Sequence, residues 1–269
     1  MVNILKQILK SIDVAFSMYS KIPMPGFTWN SGDMKYHLIF FPLVGAVIGL
    51  LEWIWLMLCL AAGIGNTAVA AVSLAIPLLV TGGIHVDGFM DTMDAVHSWQ
   101  NREKKLEILK DPHIGAFAVI SLAAYGLIAF AAMSQMLLAA VPRRISSGDT
   151  ALFASFCCVF FLSRALSGIS VSTFQPAKKD GMLKTSEQTA AKRVVRRCLC
   201  AEAALCVLVM VRLCPVGGGL MAFAVGLAFV WYRDMSRRTF GGITGDLAGW
   251  FVTMAELMAM IAGWIAGML

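Results

Sequence analysis

Seven long runs of apolar residues constrain the fold of this chain more than any other feature of its sequence. A run of about 17–25 apolar residues can cross a bilayer as a helix, because a helix satisfies its backbone hydrogen bonds internally where water is absent. Hydrophobic residues make up 59% of the 269 and charged residues only 14%, unlike a water-soluble domain or a disordered chain. We predict an all-α, polytopic transmembrane bundle that forms one domain, with spans at His37–Gly63, Thr67–Ile84, Ile114–Val141, Ala151–Val171, Leu199–Leu213, Gly217–Tyr232 and Leu247–Leu269.

Two segments of the chain differ from a plain transmembrane span. Residues 1–36 precede the first span, and Met1–Ser20 places two lysines and an aspartate among apolar residues at helical spacing. This pattern is typical of a helix that lies on the membrane surface. The fifth and sixth predicted spans are short and are separated only by Cys214-Pro215-Val216. A re-entrant pair is therefore an open alternative to two full crossings there.

The basic residues are concentrated on one side of the predicted bundle. Of the 22 Lys and Arg residues, 18 fall in segments that the seven spans place on the side of the N-terminus. By the positive-inside rule this side is cytoplasmic, so we expect a multi-pass protein of the cell inner membrane with its C-terminus outside. The net charge of +6 then reflects topology, and we expect no nucleic-acid partner. The basic segments are residues 1–36, 85–113, 172–198 and 233–246, of which 85–113 and 233–246 are predicted motif loops.

Three aspartates follow the second predicted span closely. On a helix, Asp87, Asp91 and Asp94 fall within about 60° of one another, on one face. No Lys or Arg occurs between them and Arg102 to relieve their repulsion, although a solvated acidic surface is the alternative interpretation. Oxygen ligands favour Mg²⁺ or Mn²⁺ over zinc. We predict that the three carboxylates hold such a cation at the cytoplasmic end of the bundle.

A glycine-rich turn precedes the last predicted span. Gly241 and Gly242 would let backbone amides approach an anion, and the following helix N-terminus would favour negative charge there. Gly241, Gly242 and Thr244 are therefore predicted phosphate-binding residues, and Asp246 is a predicted further metal ligand. The alternative is a tight turn in which Asp246 caps the helix.

Several other polar residues are candidates for the same site. Arg164 lies within the fourth predicted span, and a charge at that depth faces a bundle interior, either binding a phosphate or pairing with an acid. Lys110 is a second candidate phosphate contact. His85, Asp94 and Asp111 are candidate catalytic residues, although Asp111 is also typical of a helix cap and His85 suits a supporting hydrogen bond equally well. Together these residues predict metal-assisted chemistry on a phosphate or diphosphate.

The stretches that contain these residues resemble the cobalamin synthase family, also called adenosylcobinamide-GDP ribazoletransferase. They occur in the family's order over nearly the whole chain, with departures at Ala95, Pro112-His113 and Ala118 that remove no carboxylate. The matching stretches are Lys21-Ile-Pro-Met-Pro25, Phe41-Pro-Leu-Val-Gly45, Gly82-Gly-Ile-His-Val-Asp-Gly-Phe-Met-Asp-Thr-Met-Asp94, Arg102-Glu-Lys-Lys-Leu-Glu-Ile-Leu-Lys-Asp111, Ser163-Arg164 and Gly241-Gly-Ile-Thr-Gly-Asp246.

The resemblance implies an integral membrane enzyme of late cobalamin assembly. Such an enzyme joins adenosylcobinamide-GDP to α-ribazole or its 5′-phosphate, releases GMP and needs Mg²⁺. The resemblance leaves open whether the chain acts with a second copy of itself or with other cobalamin-assembly enzymes. It also leaves open whether His85 or a metal-free aspartate takes the hydroxyl proton. The implied metal ligands are Asp87, Asp91, Asp94 and Asp246, and the implied phosphate contacts are Arg164 and Lys110.

Two other functions fit the sequence less well. The CDP-alcohol phosphotransferase pattern, D-x-x-D-G-x-x-A-R, requires alanine and arginine where this chain has Asp91-Thr92. A transporter that couples to carboxylates would have its site near the bilayer midplane. Only Glu52 and Glu256 are acidic residues deep in the predicted spans. We therefore expect an enzyme at the membrane interface rather than a transporter.

Overall fold

A computed structural model describes residues 2–25, 33–140, 150–177 and 192–269. These residues form eleven α-helices, a short 3-10 helix at Asp33–Lys35 and a π-helix at Ser236–Phe240, and the described ranges contain no β-strand beyond one isolated bridge. The helices are α1 Val2–Tyr19, α2 His37–Ala62, α3 Asn66–Thr81, α4 Ile84–His97, α5 Arg102–Ile108, α6 Ala116–Ala140, α7 Ala151–Cys157, α8 Val159–Thr173, α9 Lys192–Leu213, α10 Pro215–Met235 and α11 Gly245–Ala266.

Five helical segments of the described chain are long and apolar enough to cross a membrane. They are His37–Ala62, Ala116–Leu138, Ala151–Thr173, Pro215–Phe240 and Gly245–Ala266. The third of them joins α7 to α8, and the fourth continues α10 into the π-helix. These segments coincide with the first, third, fourth, sixth and seventh predicted spans. The predicted all-α polytopic membrane bundle is confirmed.

The second predicted span ends in a sharp bend. α3 stops at Thr81, and α4 leaves it at an angle of 96°, so the two helices form a sixth candidate span only as a broken pair. Gly82 and Gly83 have φ values of +66° and +81°, a left-handed conformation that side chains with a Cβ rarely adopt. The three aspartates are therefore carried by a separate helix, where a loop was predicted to begin.

The fifth predicted span, Leu199–Leu213, lies within α9, which is not among the candidate spans of the described chain. α9 packs on α8 and α10, carries most of its charged residues in its first half and exposes apolar residues such as Leu205 and Leu208 in its second half. Leu199 packs at Gly168 of α8 and the Met210 backbone accepts a hydrogen bond from Ser155 of α7, so α9 runs antiparallel along these helices and the fifth crossing stays a prediction. The charged residues of α9 are Lys192, Arg193, Arg196, Arg197, Glu202 and Arg212.

α11 lies at the centre of the bundle. It contacts α4, α6, α8 and α10, and most of its residues are buried. A second close contact joins α2 to α7 and α8, where a Cβ at Gly45 would overlap the backbone of Phe160 and a Cβ at Gly49 that of Cys157. Small residues at such contacts let membrane helices approach closely.

The predicted motif loops are mostly helical. Residues 85–113 contain most of α4 and all of α5, and residues 233–246 contain the end of α10, the π-helix and the start of α11. The basic side chains of Arg143 and Arg144 and residues 178–191 of the third basic segment lie outside the described residues. The two motif segments therefore present their side chains from regular helices, which hold them in defined directions.

Candidate active site

The three aspartates of α4 form one acidic face, as their spacing predicts. Asp87 is exposed, and Asp91 and Asp94 are half-buried. The negative charges of Asp87, Asp246 and Asp94 all act on the carboxyl group of Asp91. In the described part of the chain, neither Asp87 nor Asp91 forms an ion pair with a basic side chain. The structure thus brings the four predicted metal ligands into one acidic neighbourhood.

Asp246 reaches this neighbourhood because α4 and the start of α11 touch through glycines. A Cβ at Gly88 would lie 2.7 Å from the backbone oxygen of Asp246, and a Cβ at Gly249 would lie 3.0 Å from the backbone oxygen of His85. Hydrogen in place of a side chain at Gly88 permits this close approach, and a Cβ at Gly249 would require its neighbour to shift by a few tenths of an ångström. The contact places the aspartate of the last motif beside the aspartates of the first.

The glycine-rich turn before α11 is well ordered by its own hydrogen bonds. The π-helix ends at Phe240 and is followed by Gly241, whose φ of +74° is left-handed. Thr244 is the N-cap of α11, since its Oγ1 accepts a hydrogen bond of 3.2 Å from the backbone of Leu247. The Thr244 hydroxyl also donates to Asp246 Oδ2 at 3.4 Å. The alternative in which Asp246 is the cap is therefore wrong, and Asp246 stands in the first turn.

A backbone bridge attaches this turn to the end of α8. The backbone N–H of Ile243 donates to the oxygen of Gln175 at 2.9 Å, and the N–H of Ala177 donates to the oxygen of Ile243 at 2.9 Å. A Cβ at Gly242 would overlap the same short segment. Gly242 therefore serves the contact with this segment, and its predicted phosphate-binding role stays a prediction.

Two basic residues that were given no role from the sequence lie against the motif glycines. The Arg102 guanidinium occupies the space that a Cβ at Gly241 would need, and the stem of Lys21 packs over Gly82. The backbone of Lys21 also donates a hydrogen bond of 2.8 Å to Val80. Both residues belong to the stretches that resemble the family. That resemblance was the one sequence signal that could have identified them as site residues. Each brings a cation to a motif segment of the site.

Asp94 has a structural contact that the sequence did not predict. Its Oδ2 accepts a hydrogen bond of 2.7 Å from the backbone of Gly115, and its Oδ1 accepts one of 2.9 Å from Ala118. These amides lie at the start of α6, where they have no partner within the helix. Asp94 thereby joins the C-terminal half of α4 to the start of α6, which favours a positioning role.

Asp111 does not cap α6, so that alternative is wrong. Its side chain is exposed, and Oδ1 accepts a hydrogen bond of 3.0 Å from the backbone of His113. This bond and the nearby His113 ring hold the pKa of Asp111 below its ordinary value, which makes it a weaker base. Lys110, its neighbour, is exposed. The predicted catalytic role of Asp111 and the phosphate role of Lys110 stay predictions.

Arg164 pairs with an acid inside the bundle, which was one of the two alternatives for it. Its Nη1 donates to Glu256 Oε1, and it also donates to the Phe160 backbone and to Ser163 Oγ, both at 3.1 Å. Arg164 is 1% exposed. A guanidinium so buried and so engaged is separated from the exposed acidic face of α4.

His85 is buried on the side of α4 opposite to the acidic face. Its ring lies 5.8 Å from the ring of Phe41, centroid to centroid. Its Nε2 has no hydrogen-bond partner among the described residues. His85 therefore does not point towards the aspartates, and its predicted catalytic role gains no support from its position.

The acidic neighbourhood has the donor chemistry of a hard-cation site. Among the described residues, no three His, Cys, Asp or Glu side chains converge to metal-ligand distance as they stand. The aspartates nevertheless supply the oxygen ligands that Mg²⁺ prefers, with positions left over for substrate phosphates. The neighbouring aspartates repel the carboxylate of Asp91 electrostatically, and a bound cation would offset that repulsion. The residues thus fit a divalent cation in the type of donor that they supply.

The chain is similar to known proteins over nearly its whole length. It is 41% identical over 258 residues to the adenosylcobinamide-GDP ribazoletransferase of Lachnoclostridium phytofermentans, covering 96% of this chain and 94% of the relative. It is 32% identical to the enzyme of that name from Azorhizobium caulinodans, covering 93% and 94%. It is 27% identical to that from Clostridium perfringens strain 13, covering 96% and 98%. No solved structure matches the chain.

A family model points in the same direction. The model described as cobalamin-5-phosphate synthase matches residues 11–264. This match contains α4 and its aspartates, α5 with Arg102, the buried Arg164 and the turn that leads into α11. It confirms the resemblance that the motifs indicated. The chain belongs to the cobalamin-5-phosphate synthase family.

Proposed function

We propose that this chain joins adenosylcobinamide-GDP to α-ribazole, or to its 5′-phosphate, and releases GMP in the last steps of cobalamin assembly. The names of its relatives support this assignment. The observation that carries it is the meeting of Asp246 with the aspartates of α4 at the Gly88 contact. Four carboxylates beside a glycine-rich helix start suit a divalent cation and a diphosphate.

In the proposed reaction, a hydroxyl of the ribazole sugar attacks the phosphorus that is attached to the corrinoid. The new phosphorus–oxygen bond forms as the bond to GMP breaks, and the hydroxyl proton passes to a base. Asp87, Asp91 and Asp246 would hold Mg²⁺, or Mn²⁺ in its place. The cation would offset the charge that develops on the phosphate oxygens.

Residues of the chain would bind the substrate around that centre. Arg102 and Lys21, which lie against the two motif turns, would contact the diphosphate together with the exposed Lys110. The amides near Gly241 and Thr244 would add hydrogen-bond donors at the start of α11. We assign the proton transfer to an aspartate of the acidic face.

The membrane location belongs to the same proposal. The acidic face and the basic side chains lie at one end of the bundle, and the distribution of basic residues in the sequence supports a cytoplasmic position for that end. Both substrates would then reach the site from the compartment in which nucleotide-activated intermediates are made. Labelling of an introduced Cys near Lys184 from one side of sealed vesicles tests the orientation.

The direct test is turnover by the purified protein in lipid nanodiscs. Adenosylcobinamide-GDP and α-ribazole are supplied with Mg²⁺, with Mn²⁺ or with a chelator, and the cobalamin product and GMP are both quantified. We expect equal amounts of the two products with Mg²⁺ and none with the chelator. Absence of product under every metal condition would refute the proposed activity, and full turnover with chelator would refute metal dependence.

A matched pair of variants tests the acidic face. Asp91→Asn should abolish turnover while the yield of folded protein in the membrane is unchanged. Asp234→Asn removes a carboxylate whose exposed ion pair with Arg238 is expected to contribute only about 0.3–0.5 kcal/mol. It should retain full turnover. Near-normal turnover of Asp91→Asn would remove this residue from the proposed metal site.

A further inference from the structure

Six exposed arginines lie at the end of the bundle that carries the acidic site. They occur in the first two turns of α9 and where α10 continues into the π-helix. We call this surface the basic collar, and its members are Arg193, Arg196, Arg197, Arg233, Arg237 and Arg238. The proposed reaction uses none of these side chains.

The end of α8 connects the two halves of the basic collar. The Arg233 guanidinium of α10 lies 5.7 Å from the centre of the Phe174 ring, directly after α8. The same part of α8 contacts α9, because Leu199 packs at Gly168. α9 and α10 also pack on each other. The arginines of both helices therefore surround the end of one helix.

The two helices carry their arginines at about the same depth. α9 ends and α10 begins on either side of Cys214. Arg197 stands 17 residues before Cys214 and Trp231 stands 17 residues after it, which is about 26 Å of helix in each case. The hydrocarbon core of a bilayer is about 30 Å thick, and a tryptophan that is 50% exposed is typical of its edge. The basic collar therefore lies at the level of the lipid headgroups.

The positive charge of the basic collar is largely unbalanced. Asp234 pairs with Arg238 at 2.7 Å. Within the described ranges, the other five arginines form no ion pair with an acidic side chain. A cluster of one sign attracts ligands of the opposite sign, so this surface suits an anionic partner.

An exposed apolar stripe leads away from the basic collar along each helix. On α9, Leu208 follows Arg197 by 11 residues, which places it about 16 Å away and within about 20° around the helix, and it is 58% exposed. On α10, Phe223, Leu227 and Trp231 are exposed at intervals of four residues. Such stripes suit acyl chains, from which a soluble nucleotide would gain nothing.

We infer that the basic collar binds the headgroup phosphates of anionic phospholipids, whose acyl chains lie along the exposed stripes of α9 and α10. Arginine suits this task because its guanidinium donates two parallel hydrogen bonds to one phosphate. Each basic side chain near an anionic membrane surface strengthens binding about fivefold. This surface is separate from the proposed reaction, and its test needs no turnover.

A lipid at the basic collar would also hold the segment that leads into the glycine-rich turn. Arg237 and Arg238 belong to the π-helix, and the N–H of Gly242 donates to the Ser236 oxygen of that helix at 3.0 Å. We therefore expect anionic lipid to raise the midpoint of thermal unfolding more than neutral lipid does.

The test compares two double variants of equal charge. Arg197→Gln/Arg237→Gln removes one arginine from each half of the basic collar. Lys6→Gln/Arg212→Gln removes two exposed cations outside it, one on α1 and one in the last turn of α9. Each double variant lowers the formal net charge from +6 to +4. All four side chains are exposed, so both variants should fold.

Native mass spectrometry of the detergent-purified protein measures the dissociation constants of two lipids. Dioleoylphosphatidylglycerol and dioleoylphosphatidylcholine have the same acyl chains and differ in net charge. We expect the wild type and Lys6→Gln/Arg212→Gln to bind the phosphatidylglycerol about tenfold more tightly than the phosphatidylcholine. In Arg197→Gln/Arg237→Gln, phosphatidylglycerol binding should weaken about tenfold and phosphatidylcholine binding should not change.

Each outcome decides the assignment. If the wild type shows no preference for phosphatidylglycerol, the inference is wrong. Equal losses in the two double variants would show attraction to net charge without a located site, which also overturns it. Displacement of the bound lipid by GMP would assign the basic collar to a soluble phosphate instead. A loss confined to Arg197→Gln/Arg237→Gln, with no displacement by GMP, supports the lipid site whether or not the protein turns over its proposed substrates.

Discussion

The contact between Gly88 and Asp246 provides a sharp test of how the acidic site is assembled. A Cβ at residue 88 would lie 2.7 Å from the Asp246 oxygen and 2.8 Å from its Cα, whereas ordinary contacts begin at 3.4 Å. Both obstructing atoms belong to the backbone, so no side chain can move aside. In Gly88→Ala, α4 and α11 must separate by about 0.7 Å at this point.

The expected change in the stability of Gly88→Ala is the balance of two opposed effects. Alanine favours a helix over glycine by about 1 kcal/mol, whereas overpacking of a close contact costs about 1–3 kcal/mol. We expect the clash to prevail and Gly88→Ala to lower the free energy of unfolding. Because misplacement by about 1 Å can cost about 100-fold in rate, we expect a 10- to 100-fold loss of turnover as Asp246 moves away from Asp91.

The assay compares Gly88→Ala with Gly226→Ala, which places the same methyl group in open space on α10. Thermal unfolding in detergent and turnover in nanodiscs are measured for both variants. Gly226→Ala should be as stable as the wild type or more so, with unchanged turnover. If Gly88→Ala matches it in both measurements, the two helices do not need this contact and the argument for the assembled site fails.

Three further substitutions test individual contacts. Thr244→Ala should cost about 1 kcal/mol of stability by removing the cap of α11, and Thr244→Ser should retain it; equal melting of the two would contradict the cap. Asp94→Ala should speed hydrogen exchange of the backbone amides at the start of α6, whereas Asp111→Ala should not; the reverse order would assign the cap to Asp111. Glu256→Leu should cost about 3–5 kcal/mol because it leaves Arg164 buried without its partner, and adding Arg164→Met should restore much of that loss; no recovery in the double variant would show that the ion pair is not the cause.

The sequence predicts most of the membrane helices because lipid imposes one simple requirement. α2, α6 and α11 begin and end within a few residues of the predicted spans, since an apolar run must be long enough to cross. α9 differs because four basic residues occupy its first two turns, whereas exposed apolar residues such as Leu205 and Leu208 follow only in its second half. The bend at Gly82-Gly83 could not be predicted from hydropathy, which continues across it and carries no information on φ.

The candidate site was predictable in its residue types and not in their contacts. The helical spacing of Asp87 and Asp91 places them on one face, and the motif resemblance associates Asp246 with them. The ion pair of Arg164 joins residues 92 positions apart, and the contact of Arg102 with Gly241 depends on how α5 packs. Such contacts are determined by tertiary packing. The local sequence pattern therefore could not show whether Arg164 binds a phosphate or pairs with an acid.

The meeting of α4 with α11 has a consequence for biosynthesis. Gly88 and Asp246 are separated by about 160 residues, which a ribosome takes on the order of ten to thirty seconds to add at about 5–20 residues per second. During that interval the acidic face of α4 exists without the helix that completes it. A nascent chain therefore has no assembled acidic site until its last transmembrane segment has been inserted, and any chain truncated before residue 245 would be made without one.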